Sequence, residues 1–502
     1  MDDQRLQPLG LLTETTGRIA TDPVQKKANA GFGWPPSSNG ERIVQIDERR
    51  PFRLYIRMEF TAIILAAGKG TRMKSALAKP LHKVGGHPML GWSIDAATAA
   101  GAKSIITVLS PGSESIQTWL NGAPFAIQEQ QLGTGNAVAA AREAIESEEG
   151  VAVVMFADTP LVTAESIASL ARTVEDGASL AVAAFEAADP SGYGRVVCDD
   201  AGGITRIVED RDATSEERAI RLCNGGIMAA RMPLLFDLLG RITNENAKQE
   251  YYLTDVIGLA TDAGHQVTYS LVEEAEILGV NDRADLAKAE AELQGRLRIA
   301  AMRSGVTLVA PETVFLSADA VIEPDVIIEP HVIIGRGCHI GEGTVIRAFS
   351  HLEGTRLGAC CIIGPYARLR PGTEGEEGVK IGNFVEVKKT TLGAGAKANH
   401  LTYLGDASIG AGANVGAGTI TCNYDGFGKH ETLIGEGAFI GSNTALVAPV
   451  AIGARAIIGA GSTITRDVAA DSIAVERADT SERAGAAKSF RKSRLETGKQ
   501  KS

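Results

Sequence analysis

The sequence predicts an α/β unit with a mainly parallel sheet, joined by one helix to a parallel β-helix of six-residue repeats. Two patterns predict this. Aliphatic residues recur every six positions in two unbroken runs towards the C-terminus, and upstream of them aliphatic stretches alternate with Ala-rich amphipathic ones. The first run is Leu316, Ile322, Ile328, Ile334, Ile340, Ile346 and Leu352; the second is Ile434, Ile440, Leu446, Ile452, Ile458 and Ile464. A helix repeats about every 3.6 residues and a strand about every 2, so neither yields a strict six. A β-helix does, because each side sends one aliphatic residue into a narrow core and a small residue makes the corner. Ile340-Gly341, Ile409-Gly410, Val415-Gly416, Ile434-Gly435, Ile440-Gly441, Ile452-Gly453 and Ile458-Gly459 carry that pairing.

Length comes next. At 502 residues the chain exceeds one core, so two domains and a connector are expected. Residues 1–57 are polar, carry Pro8, Pro23, Pro35 and Pro36, and show no period. They read either as a disordered extension or as sequence upstream of a true start at Met58. The second reading is the expectation, and no chemistry is placed there. The α/β domain is expected over 58–283, with strands at 60–65, 104–109, 151–156 and 179–185. Residues 284–304 are rich in helix formers and read as the linker helix. The C-terminal domain is expected over 305–502, with the solenoid at about 305–468 and a basic, poorly patterned tail from 478, read as solvated.

Charge and cysteine usage narrow the function. With 61 acidic against 50 basic residues the net charge is −11, which argues against a nucleic-acid binder. The six cysteines form neither CxxC pairs nor zinc spacing, which suits free thiols in a reducing cytoplasm. No apolar run is long enough to span a membrane, and no secretory signal is read at the N-terminus.

The strand ending at Leu65 runs into Ala66-Ala67-Gly68-Lys69-Gly70-Thr71-Arg72-Met73, and Lys79-Pro80-Leu81 follows. Glycines past a strand let backbone N–H groups approach phosphate, while Lys69, Arg72 and Lys79 supply positive charge. The spacing matches neither the P-loop nor the dinucleotide fingerprint, and a tight strand-to-helix turn would look similar. Asp158 ends the strand Val151–Phe156, where open α/β sheets bind ligands; such an Asp caps a helix about as often as it holds a metal.

These motifs resemble the nucleotidyltransferases that activate sugar 1-phosphates. The further matches Gln131-Leu132-Gly133-Thr134-Gly135, Phe156-Ala157-Asp158-Thr159-Pro160, Gly192-Tyr193-Gly194-Arg195, Asn224-Gly225-Gly226, Glu250-Tyr251-Tyr252-Leu253-Thr254-Asp255 and Gly279-Val280-Asn281 narrow the resemblance. The chain is similar to the bifunctional bacterial uridylyltransferase–acetyltransferase family over nearly all of 59–502. That resemblance implies a Rossmann-like nucleotidyltransferase domain followed by a left-handed β-helix. It implies Mg²⁺ held by Asp158 and Asn281, with nucleotide contacts from Leu65, Ala66, Ala67, Gly68, Lys79, Gln128, Gly133, Thr134, Phe156 and Ala157. It also implies sugar contacts from Gly194, Glu209 and Asn224. Two positions depart from the family: Ala157 where Gly is usual, expected to shift nucleotide affinity, and Gly225 where Thr is common. Attack of a sugar phosphate on the α-phosphorus of UTP brings anions together, so Arg72 and Lys79 are the expected catalytic cations.

Hexapeptide solenoids commonly carry acyl transfer. The repeat breaks around His400–Asp406 and again at Thr421–Gly426; between Val415 and Ile434 the beat is lost for almost twenty residues, as a loop leaving the solenoid would make it. His400 stands among Arg370, Lys388, Tyr403 and Asn414 on an otherwise aliphatic scaffold, and imidazole titrates where a general base must. Arg368 and Lys389 extend the cationic patch, and Cys422 is read as a bystander. The resemblance assigns Arg370, Lys388, Tyr403 and Asn414 to glucosamine 1-phosphate, and Ala417, Asn423, Tyr424, Ser442, Ala460 and Arg477 to acetyl-CoA. The expected enzyme acetylates glucosamine 1-phosphate and then transfers UMP from UTP to give UDP-N-acetylglucosamine, a precursor of cell wall and lipopolysaccharide. The resemblance implies a homotrimer with the acetyl site between subunits. The rival readings are a nucleotidyltransferase whose β-helix only regulates or oligomerises, and a non-catalytic assembly protein.

Overall fold

The computed structural model describes residues 59–499; the expectation for 1–57 and Met58 lies outside the described residues. The first module centres on a nine-stranded mixed sheet. Its strands are β1 (Phe60–Leu65), β2 (Ala102–Leu109), β3 (Phe125–Ile127), β4 (Val151–Phe156), β5 (Leu180–Glu186), β6 (Arg195–Cys198), β7 (Ile204–Val208), β8 (Leu222–Arg231) and β9 (Val267–Leu271). The path across the sheet is β9-β5-β8-β4-β1-β2-β3, and the β6–β7 hairpin branches from β8. All neighbours on that path are parallel except β8, which runs against both β4 and β5. Ala62, Ile63, Ile64, Val153 and Val154 are fully buried, because helices cover both faces of the central strands. The C-terminal ends of β1, β2 and β4 therefore open on one rim, and the loops after them form the first site.

The helix Arg283–Arg303 leads to the second module. Asp282 caps it, its carboxylate accepting from the N–H groups of Ala284 and Asp285. Arg296 donates to the Leu161 carbonyl (2.7 Å) and Arg298 to that of Pro311 (3.0 Å), so the helix holds both modules. The buried Gln294 amide accepts from Leu316 N–H (2.8 Å) and donates to its carbonyl (2.7 Å), closing the edge of the first rung on that face. The modules also touch directly: the Gly85 carbonyl accepts from Ala318 N–H at 3.1 Å.

From Thr307 to Ala474 the chain winds as a left-handed parallel β-helix of short strands. Its core is one continuous column running from Val306 and Leu308 to Ile464. Each aliphatic residue removed from water there contributes about 1.5–3 kcal/mol before chain entropy opposes it. One corner carries left-handed residues on successive coils: His331, Phe349, Tyr366, Phe384, Leu401, Gly418, Asn443 and Gly461. Gly418 suits this corner, where φ is 74° and a Cβ would lie 2.3 Å from Asn443 Oδ1. The rings of His331, Phe349, Tyr366 and Phe384 stack along this corner, centroids 4.8–5.2 Å apart.

The excursion expected between Val415 and Ile434 is present, and one expectation, the unpatterned tail, needs correction. The break around His400–Asp406 comes from shortened sides of the solenoid. Inward-facing Val387 and Leu392, like Leu404 and Ile409, stand five residues apart instead of six, so the strands Glu386–Leu392 and Tyr403–Ile409 run straight past a corner in mutual register. The excursion lies at Asn423–Glu431, where Tyr424 pairs with Lys429 and Phe427 is 98% exposed. The tail, expected without pattern, forms the helix Ala486–Lys499, whose described side chains are exposed. Ala, Lys, Arg, Leu and Glu favour helix intrinsically, and Arg494 covers the Phe490 ring (5.2 Å), so no buried face is needed.

Candidate active sites

The first site is a cleft of about 460 Å³ on the β1–β2–β4 rim, lined by Leu65, Ala67, Gly68, Lys69, Gln128, Gln131, Gly133, Thr134, Ala137, Phe156, Asp158 and Glu250. The sheet ladder continues into its floor: Ala66 N–H donates to Val108 (2.8 Å) and Ala157 N–H to Leu65 (3.1 Å). A Cβ on Gly68 would meet no protein atom within 4 Å, so the space over its backbone is left to a ligand. Gln131 donates to the Ala67 carbonyl (2.6 Å) and Gln128 to that of Gly133 (3.0 Å), tying the glycine loop to the Leu132–Gly135 loop. Ala66 and Ala157 are buried in the apolar layer behind the cleft. The Ala157 methyl packs into this apolar layer beside the cleft. At Gly225 a Cβ would stand 3.1 Å from Ala183 and 3.2 Å from Ile277, so this packing favours glycine.

One cationic node joins the remaining residues. Lys79 Nζ lies 2.5 Å from Asp158 Oδ2 and 3.4 Å from Asn281 Oδ1, and Arg72 donates to Asn281 Oδ1 at 2.9 Å. Val280 N–H on the Asp158 carbonyl (2.8 Å) brings Asn281 to the end of β4. Further along the rim, Asn224 N–H donates to the Gly194 carbonyl (2.8 Å), and a Cβ on Gly194 would come 3.7 Å from Glu209 Oε1. Thr254 donates to Glu209 Oε1 at 3.2 Å. Burial pushes the Glu209 carboxyl up, against the hydrogen bond from Thr254. Burial, then Glu209 and Asp212, push Asp255 up to about 6.

Sequence reasoning did not assign Thr254, Glu250 or Gln131 a role, although all three stand in motifs it quoted. The segment Glu250–Asp255 is a strap between the subsites. Tyr251 exchanges backbone hydrogen bonds with Leu132 (2.7 Å) and Gly135 (2.8 Å), Leu253 N–H donates to Thr134 Oγ1 (2.9 Å), and Thr254 reaches Glu209.

The second site lies along the left-handed corner. Gly418 N–H donates to the His400 carbonyl, Asn443 N–H to Ala417 and Gly461 N–H to Ser442. His400, Ala417, Ser442 and Ala460 thus occupy one corner position on successive coils. The Arg477 guanidinium closes onto the Ala460 carbonyl. On the face beyond the corner, Arg370 pairs with Glu386 (2.8 Å), Lys388 is level with Gly405, and Asn423 donates to Asp406 Oδ2 (2.5 Å). A Cβ on Gly405 would lie 2.4 Å from Tyr403 Oη and 2.8 Å from Asn423 Nδ2, so glycine lets these groups converge. Lys429, which the sequence did not single out, comes against Lys388 and pushes its ammonium pKa down. Asn414 belongs to a different sheet from Tyr403, level with Lys397. The Tyr424 side chain bends to the Gly426 carbonyl (2.8 Å) within the excursion. A cleft of about 660 Å³ on another face, lined by His339, Arg356, Glu374, Thr391 and Ser408 among others, holds none of the expected acetyl-site residues. All six cysteines are free, and the Cys422 thiol lies 4.0 Å from the Ile420 carbonyl.

Residues 62–222 match the MobA-like NTP transferase domain, and 314–348 and 431–466 match the bacterial transferase hexapeptide (six repeats), the stretches of unbroken six-residue spacing. The chain is 49% identical to the bifunctional protein GlmU of Zymomonas mobilis, over 86% of this chain and 97% of that one. It is 51% identical to that of Maricaulis maris (87% and 98%) and 48% identical to that of Heliobacterium modesticaldum (83% and 95%). The chain belongs to the GlmU family. Its nucleotidyltransferase domain and its hexapeptide repeats fit the two activities of a bifunctional uridylyltransferase and acetyltransferase. Among the described residues no helix is long and apolar enough to cross a membrane.

Proposed function

We propose that the corner site acetylates glucosamine 1-phosphate from acetyl-CoA and the cleft then transfers UMP from UTP to the product. The observation that carries the second step is the convergence of Arg72, Lys79, Asp158 and Asn281 at the end of β4. Asp158 and Asn281 already turn their oxygens to one positive charge, and this pair of hard oxygen donors would hold Mg²⁺. When bound, Mg²⁺ neutralises phosphate charge. Lys79 and Arg72 stabilise the charge that develops as the sugar phosphate oxygen bonds to the α-phosphorus and pyrophosphate departs. The Gly68 loop, Gln128, Gly133 and Thr134 hold the nucleotide, while Gly194, Glu209 and Asn224 orient the sugar.

In acetyl transfer, His400 takes the proton that the sugar amine loses as it attacks the thioester carbonyl, and the CoA thiolate leaves. Arg370, Lys388, Tyr403 and Lys429 bind the acceptor phosphate. The column Ala417, Ser442 and Ala460, with Arg477, Asn423 and Tyr424, receives acetyl-CoA. The protein works as a cytoplasmic homotrimer in which copies complete one another's acetyl sites. Exposed Tyr424 and Phe427 on the excursion, and the separation of Asn414 from Tyr403, support this. Assaying each half-reaction with its own substrates tests the reading, and sedimentation mass tests the trimer. Lack of acetyl transfer in protein that makes UDP-N-acetylglucosamine from supplied N-acetylglucosamine 1-phosphate would leave the β-helix a regulatory or oligomerising part.

A further inference from the structure

We propose that Asn383 is the positioning residue of the acetyl site, holding the His400 imidazole by Nδ1 so that Nε2 takes the amine proton. The inference rests on the reading of His400 as the base. The strands Lys380–Asn383 and Lys397–His400 are parallel neighbours, and their register sets Asn383 directly beside His400. Asn383 Oδ1 lies 2.8 Å from His400 Nδ1, and Leu401 N–H donates to the Asn383 backbone carbonyl at 3.0 Å. The asparagine is therefore held by its backbone carbonyl as well as by its side-chain amide. An amide oxygen can only accept, so the imidazole proton sits on Nδ1 and the lone pair on Nε2.

The surroundings make this pairing specific. Asn383 occupies the corner position of His400 one coil earlier, and the next coils in the other direction place Ala417, Ser442 and Ala460 there. Asn383 is thus the amide of a column otherwise filled by small residues on the acetyl-CoA side. Among the described residues the imidazole has no ion-pair partner. Lys380 and Lys397 stand at the far ends of the same two strands, and Arg370, Lys388, Asp406 and Lys429 belong to the face beyond the corner. A neutral acceptor fixes the tautomer without favouring the imidazolium, which could not act as a base.

The test uses the full chain with Asn383→Ala, Asn383→Asp and His400→Ala. Asn383→Ala should lower kcat for acetyl transfer about ten- to a hundredfold, the usual worth of a partner that orients a functional imidazole. KM, uridylyl transfer and the thermal midpoint should stay near wild type. Asn383→Asp keeps an acceptor in place, so it should recover most of kcat at high pH. Its carboxylate favours the charged imidazole, so the acid limb of its kcat–pH profile should move about one unit towards higher pH. Wild-type kcat in Asn383→Ala, or an unmoved acid limb in a folded Asn383→Asp, would make Asn383 a corner residue and overturn the proposal. Should Asn383→Ala fail to fold, the Asn383→Asp limb decides alone. An unchanged kcat in His400→Ala would instead remove the base, and this proposal with it.

Discussion

Gly68, Gln128, Asp158, Glu209 and Asn281 reach one rim from five separate loops, whereas His400, Ala417, Ser442 and Ala460 are a single corner position repeated. In the sheet module, geometry comes from strands that are neighbours in space and distant in sequence. In the β-helix it comes from counting: each coil returns the chain to the same corner. A site of the first kind depends on long-range docking, such as that of Asn281 against Asp158. A site of the second kind depends on coil length, and one dropped residue moves every later side chain only if the corner fails to absorb it.

The sharpest way to break the comparison is to remove one chemical group from each module. Asp158→Ala should abolish uridylyl transfer and leave acetyl transfer near wild type, and equal loss of both in folded protein would mean the sites are not separate. His400→Ala should lower acetyl transfer about 10²- to 10⁴-fold while uridylyl transfer survives. Steady-state kinetics over pH 5.5–9 check this, because an unchanged kcat would mean that His400 is not the base. Lys429→Ala should be milder, raising KM for glucosamine 1-phosphate about tenfold with kcat largely kept, since Lys429 meets Lys388 at the expected phosphate position. Its failure to move KM would restrict the phosphate site to Arg370, Lys388 and Tyr403.

The smallest effect concerns stability. In the folded module burial, then Glu209 and Asp212, push the Asp255 carboxyl up to about 6, above the ordinary aspartate value. A carboxyl raised on folding stabilises the fold below its unfolded pKa, and that contribution is lost as pH rises through the folded value. Asp255→Asn should therefore leave stability at pH 4 little changed and raise it at pH 8 by about 1–2 kcal/mol, allowing for partial exposure. Thermal melts at the two pH values check this; an equal shift at both would place the effect in packing.

Legibility followed the same division. Strands β1 and β4 were readable because both faces are buried, which makes them continuous aliphatic runs. The first and last coils were readable because their spacing never departs from six. The middle coils were hidden by the dropped residues after Leu352, Val387 and Leu404, which read as a break where the winding is continuous. Lys429 was missed because only the excursion brings it to Lys388, although the lost beat after Val415 marked where to look. Thr254 was quoted within its motif, yet its contact with Glu209 depends on how two loops fold together. The helix Ala486–Lys499 escaped because it has no apolar face, only propensity.

A solenoid has two bare ends, each a strand edge that could accept another chain. Here the first edge is occupied by one amide: Gln294 meets both backbone groups of Leu316. At the other end, Thr463 N–H and Ser462 Oγ engage the backbone of Glu476, folding the chain back over the last rung. Repetition alone would let rungs stack from molecule to molecule into fibres. On the Leu316 face and at the Ser462–Thr463 end the terminating contacts come from outside the repeat, and one of them belongs to the helix that also anchors the first module.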